Sequence, residues 1–144
     1  IRIIALDTVI ENANEGIITV NTFNWLKSEL DKDLEKPTII FMHHPPINIG
    51  SVIFDNIKCM NGIEFLKLTS NYKNILKIVF GHVHCQFKTT FMNQQLISCL
   101  STSFQIPIET KTNINIQYDT QGYVQLYSVE NSKSLNIEIL KISN

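Results

Sequence analysis

All four histidines of this 144-residue chain fall in two tight pairs. One is His43-His44, within Met42-His43-His44-Pro45-Pro46; the other is His82 and His84, within Gly81-His82-Val83-His84. Neutral imidazole is a favoured ligand of Zn²⁺, Fe, Mn²⁺ and Ni²⁺ and of little use to Ca²⁺, so the chemistry on offer is the binding of a divalent metal of the former kind. In an extended segment side chains alternate faces, which would put His82 and His84 on one side, roughly 6–7 Å apart along the strand. Two rings so placed can converge on one ion or serve two neighbouring ions. Gly81 relaxes the backbone where a strand turns into a loop. His43 and His44 are adjacent and should face opposite ways, so both are not expected in one ligand shell. Pro45 keeps His44 out of the helical region and the stretch extended. Periodicity sets His43 with Ile39 and Phe41, and His44 with Ile40 and Met42. Both faces look buried, and the pattern does not choose between the two rings.

A histidine at a strand end is ordinarily a hydrogen-bonded polar residue and nothing more. What favours a metal site is that each pair follows a short apolar run. Thr38 to Met42 is bounded by Pro37 and Pro45, and Ile75 to Phe80 is stopped by Gly81; both are short enough to read as buried strands. Arg2 to Leu6 reads as a third strand, leading into a polar loop from Asp7 to about Val20. A helix follows, with Asn21 or Thr22 as N-cap and Trp25, Leu26, Leu30 and Leu34 at helical spacing; Trp25 is expected in the core and Pro37 as the stop. Ile47 to Lys58 reads as a long loop with turn chemistry at Asn48, Gly50, Ser51, Asp55 and Asn56. A short helix is expected from about Asn61 to Ser70, with Ile63, Leu66 and Ser70 on one side, flanked by Phe65 and Leu68. Beyond Gly81 the character changes: Phe87 to Phe91, Gln95 to Leu100, Ile114 to Tyr118, Tyr123 to Val129 and Leu135 to Lys141 are strand-like. The order is α/β first, then largely antiparallel β, within a single domain.

Composition narrows the function classes. With 44% hydrophobic and 17% charged residues the chain reads as soluble and globular, with enough length for a real core. A net charge of −1 leaves no basic footprint for a nucleic-acid polymer or an anionic membrane. No apolar run approaches the ~18 residues of a spanning helix, and no signal peptide is visible. Cys59, Cys85 and Cys99 have no CxxC spacing and cannot all pair, which points to a reducing, cytoplasmic setting and to thiols that are core residues rather than ligands. Asp7 is expected as a loop hydrogen-bonder. The opening Ile1-Arg2-Ile3-Ile4-Ala5-Leu6 resembles the middle of a sheet, so a fragment of a longer protein is expected.

At these residues the sequence resembles the calcineurin-like metallophosphoesterase superfamily, and more closely its class III cyclic nucleotide phosphodiesterases and glycerophosphodiesterase relatives. The pieces that match, in order, are Ala5-Leu6-Asp7-Thr8, the helix with Trp25-Leu26, Met42-His43-His44-Pro45-Pro46, the loop to Asp55, and Cys59-Met60-Asn61-Gly62. Gly81-His82-Val83-His84, Ser101-Thr102-Ser103-Phe104-Gln105 and Gln121-Gly122-Tyr123 complete the series. The resemblance implies a four-layer α-β-β-α sandwich, of which this chain is the C-terminal half, with two divalent ions of the Fe, Mn or Zn type at the strand ends. It assigns His43 and His82 to one ion and His84 to the other, compatible with the ~3.5–4 Å separation of two-metal sites. His44 becomes a supporting residue or a contact to the substrate phosphate. The implied activity is hydrolysis of a cyclic nucleotide or another small phosphodiester, bordered by the loop from Ile47 to Asn61.

One departure is large. The family also uses a DxH, a GDxxD whose first Asp bridges the metals, and a GNH that supplies the general acid, and this chain has none of them. They are expected N-terminal to Ile1, so this chain alone is expected to be inactive, with exposed sheet that invites self-association into a homo-oligomer. Two rival readings remain: a mononuclear site of His43, His82 and His84 with an open position, and a non-catalytic interaction module.

Overall fold

The computed structural model describes residues 1–108, 119–130 and 134–143. Short, mostly apolar runs become strands β1 Arg2–Leu6, β2 Thr38–Met42 and β3 Ile75–Phe80, and the more polar segments Lys88–Phe91 and Gln94–Ser98 form β4 and β5. β6 Tyr123–Glu130 and β7 Ser134–Lys141 form a separate antiparallel hairpin. The strand expected over Ile114 to Tyr118 lies outside the described residues.

The larger sheet has five strands in the order β1-β2-β3-β5-β4. β1, β2, β3 and β5 run parallel to one another, and β4 alone turns back antiparallel against β5. The β4–β5 turn is Met92-Asn93, both with positive φ (47° and 63°), the backbone hand that a two-residue hairpin needs. The central strands β2 and β3 are largely apolar on both faces because both are covered, whereas edge strand β1 leaves Ile3 66% exposed. On one face Ile4, Leu6, Ile40, Met42, Ile78, Phe80 and Leu96 pack in one cluster with residues of two helices, α1 (Val20–Asp31) and α2 (Gly62–Thr69). On the other, Ile39, Val79 and Ile97 pack with Tyr127, Leu135 and Ile137 of the β6–β7 hairpin. Helix, sheet and second sheet make three layers of the four that the resemblance implies.

The helices correct several sequence expectations. Helix α1 starts earlier than Asn21 or Thr22: its N-cap is Thr19, whose hydroxyl accepts from the Thr22 backbone N–H at 3.1 Å. Its buried stripe is Leu26 and Leu30, one turn apart, and each such side chain contributes about 1.5–3 kcal/mol by leaving water. Trp25 sits one residue off that stripe and is 47% exposed, so it is not a core residue. The helix ends at Asp31, well before Pro37, because the Asp33 carboxylate takes the backbone N–H groups of Glu35 and Lys36 at 3.0 Å each. Leu34 is left outside it and exposed. In α2 the buried face is Gly62, Phe65, Leu66 and Thr69, not Ile63, Leu66 and Ser70. Gly62 sets that rotation: a Cβ there would lie 2.2 Å from the Pro46 carbonyl oxygen, so the helix docks on Pro46 through its bare face. The loop from Ile47 to Lys58 holds a 3-10 turn, Phe54–Asn56, and is tied by the Asp55 carboxylate to the N–H groups of Ile49 (2.7 Å) and Gly50 (3.2 Å).

Candidate metal centre

Parallel pairing brings the chemistry to one edge. Leu6, Met42 and Phe80 stand in register at the ends of β1, β2 and β3. The chain therefore leaves all three strands on the same side, where open parallel sheets place their ligand sites. Thr8 follows β1, His43-His44 follows β2, and His82 and His84 follow β3.

His44 is the buried member of its pair, 4% exposed, with Nδ1 2.7 Å from the hydroxyl of Thr8. Gly16 lies against the same ring, and a Cβ at that position would come 2.3 Å from Nδ1. The segment carrying Thr8 and Gly16 is clamped from the other side. Gly16 N–H donates to the Lys58 carbonyl (3.1 Å), Met60 N–H donates to the Gly16 carbonyl (2.8 Å), and the Asn61 side chain bonds both backbone groups of Ile18 (2.9 and 2.7 Å). His43 is exposed and keeps to the strand edge, its carbonyl accepting from Gly81 N–H at 3.0 Å.

The second pair differs from expectation. It is not an extended stretch with both rings on one face: β3 ends at Phe80, and His82 (φ 70°) and His84 (φ 49°) both occupy the left-handed region. A non-glycine residue there carries strain, of a kind that clusters at functional sites. The turns send the two rings apart. His82 goes to the first pair, its Nδ1 3.0 Å from His43 Nε2 and its ring centre 4.7 Å from that of His44. His84 goes to the other side, where Nδ1 meets the Phe104 carbonyl at 3.1 Å and the ring tilts against Phe104.

Among the described residues, His43, His44 and His82 form a group whose ligand atoms all lie within 4.8 Å of one another. Burial, then the neighbouring rings of His44, His43 and His84, push the His82 pKa down to about 4. His43 is lowered by burial and then by His84; His44 is lowered by burial and then by His43, partly offset by the Asn14 backbone. The rings are thus held neutral near pH 7, the protonation state in which imidazole binds metal. His82 Nε2 is buried and has no hydrogen-bond partner, a costly state for a polar atom unless something else satisfies it. Three neutral rings in one cluster, one of them with an orphaned nitrogen, fit a divalent cation of the Zn²⁺, Mn²⁺ or Fe type. The thiols fit no such role: burial raises Cys59 and Cys85 to about 11, so both stay protonated core residues.

No protein-family model matches the chain. It is 32% identical over 106 residues to the glycerophosphodiester phosphodiesterase GpdQ of Enterobacter lignolyticus, covering 74% of this chain and 38% of that protein. It is 28% identical over 127 residues to a 3',5'-cyclic-nucleotide phosphodiesterase of Nostoc, covering 87% of this chain and 47% of the relative. A dimetal phosphatase from Danio rerio shares its fold, with a TM-score of 0.51 at 20% identity over 59% of this chain and 27% of that one. The chain is related to the calcineurin-like metallophosphoesterases. It spans less than half the length of these relatives, so for this metallophosphoesterase relative the fold and kinship are established, and the activity of the whole protein is a matter of proposal.

Of the residues singled out in the sequence, the structure brings His43, His44 and His82 into one cluster and sets His84 beside it against Phe104. Asp7 does bond within its loop, its carboxylate accepting from Val9 N–H at 2.9 Å. Sequence spacing does not reveal Gly16 and Asn61 as supports of the site, because nothing in a periodic pattern links positions 16 to 44 or 61 to 18.

Proposed function

We propose that this chain supplies imidazole ligands to a divalent-metal phosphodiesterase acting on small phosphodiesters such as cyclic nucleotides or glycerophosphodiesters. The observation that carries this reading is the partnerless, buried Nε2 of His82 inside a cluster of neutral imidazoles. Hydrolysis joins the oxygen of water to phosphorus, breaks one P–O ester bond and passes a proton to the leaving alkoxide. Divalent ions, when bound, lower the pKa of water and neutralise charge on the phosphoryl oxygens. His43 and His82 would hold one ion and His84 a second, as the family resemblance implies, while His44 supports the cluster or meets the substrate phosphate. The loop around Phe54, whose ring lies 5.9 Å from that of His82, would border the substrate.

The remaining ligands and the general acid would come from a DxH, GDxxD and GNH segment that this chain does not contain. The chain alone is then inactive, a domain half that works in a reducing, cytoplasmic setting and self-associates through uncovered sheet. No helix among the described residues is long and apolar enough to cross a membrane. A second reading, a mononuclear site of His43, His82 and His84, draws on the meeting of His43 and His82, while His84 turns away to Phe104.

The test is made on the complete gene product loaded with Mn²⁺. Turnover of bis(p-nitrophenyl) phosphate that His82→Ala abolishes, with two ions per polypeptide by elemental analysis, supports the dinuclear phosphodiesterase. One ion per polypeptide supports the mononuclear reading, and no bound metal with no turnover overturns both.

A further inference from the structure

Thr8 stands just past the end of β1 with its side chain fully enclosed, 1% exposed. Its Oγ1 is 2.7 Å from His44 Nδ1, and the backbone N–H of His44 points at the same oxygen at 3.5 Å. A neutral imidazole carries one proton, and the nitrogen that bears it cannot ligate a metal. Metal-binding histidines ordinarily give their other ring N–H to a nearby acceptor, which fixes both tautomer and ring orientation.

We propose that Thr8 is the positioning residue of His44: the hydrogen bond between its hydroxyl and Nδ1 fixes the orientation and the tautomer of the ring beside His43 and His82. The proposal rests on the metal-site reading for its purpose, and not for its geometry. Gly16 closes the alternatives, since a methyl group there would lie 2.3 Å from Nδ1 and 2.5 Å from Cγ, and a space that rejects a methyl also rejects a water. The Thr8 hydroxyl meets Nδ1 in this enclosed space, and the backbone of Asn14, from the same loop, also hydrogen-bonds the His44 side chain. Thr8 in turn is held by the loop clamp: the carbonyl of Thr8 accepts from Ile17 N–H at 2.9 Å, and Ile18 is bracketed by Asn61. Held in this rigid setting, the hydroxyl keeps the ring in one orientation before any ion arrives.

The experiment is a long-range proton–nitrogen NMR correlation of the imidazoles in the metal-free, nitrogen-15-labelled chain near neutral pH, followed by Zn²⁺ titration. The expected result is a single His44 tautomer in the wild type, loss of that preference in Thr8→Val, and its return in Thr8→Ser. Zn²⁺ affinity is expected to fall about 10–100-fold in Thr8→Val and to recover in Thr8→Ser. A wild-type His44 that populates both tautomers, or a tautomer pattern unmoved by Thr8→Val, overturns the proposal. If Thr8→Val does not fold, the wild-type and Thr8→Ser spectra decide. If no version binds Zn²⁺ the metal reading fails, and the tautomer still judges Thr8.

Discussion

His44 and His82 lie 4.7 Å apart, ring centre to ring centre, yet the chain holds them by different means. His44 is fixed by what surrounds it: a threonine hydroxyl on one nitrogen, a glycine pressed against the ring, and a clamp of backbone hydrogen bonds behind both. His82 is fixed by its own backbone, turned into the left-handed region directly after β3, and one of its nitrogens finds no partner. One ring is placed by satisfied contacts, the other by strain and an unmet hydrogen bond. On the metal-site reading proposed above, the difference is a division of labour: a preformed wall, and a poised ligand whose cost a bound cation would recover.

Three measurements would break or sharpen this contrast. The largest effect is expected at the packed ring. In Gly16→Ala the new methyl would fall 2.3 Å from His44 Nδ1 and 2.8 Å from the Thr8 carbonyl, so the site must open. Overpacking of that kind costs about 1–3 kcal/mol, read as a lower urea midpoint. A midpoint equal to wild type would mean that the wall is soft. A smaller effect of opposite sign is expected at the strained ring. His82→Gly removes a left-handed side chain and the orphaned nitrogen, and should stabilise the metal-free chain by about 1 kcal/mol after the entropy that glycine adds to the unfolded state. A loss of stability would show that His82 contributes packing rather than strain.

The third effect is in pH. His82 ordinarily titrates at 6.5 and is held down to about 4 by burial and its neighbouring histidines. Above pH 6.5 it is neutral in both folded and unfolded chains. As pH falls from there toward about 4 only the unfolded chain gains the proton, so folded stability declines across that window. His43 and His44, shifted in the same direction, add to the slope. Thermal melts of the metal-free chain should show the decline, and His82→Gln should flatten it; equal slopes would remove His82 as a source.

The strands and the two histidine pairs were legible because short apolar runs ended by proline or glycine leave few alternatives to a buried strand. The family kinship was legible too, from His43-His44-Pro45-Pro46 and Gly81-His82-Val83-His84 in that order. What the pattern misjudged was decided by contacts distant in sequence. Trp25 shares helical spacing with Leu30 in a loose sense, but docking on the sheet selects Leu26 and Leu30 and turns the indole outward. Ile63 lost its place in the buried face to Gly62 because Pro46 approaches the helix more closely than any side chain allows. Alternation placed His82 and His84 on one face by assuming an extended backbone, and two positive φ angles overturn it. The pairing of Thr8 with His44 spans two strands, and no local rule reports it.

The parallel pairing of β1, β2 and β3 also governs how this site comes into being over time. Ile4 meets Ile40 and Ile40 meets Ile78, each across a whole helix-bearing crossover. Such non-local pairs form only after long loops have closed, which slows folding relative to hairpins such as β4–β5 or β6–β7. The hairpins can form early on their own; the histidines converge only when the slow, central register locks. Until then the four imidazoles are scattered along a flexible chain, and a metal ion met too soon can tie the wrong pair together.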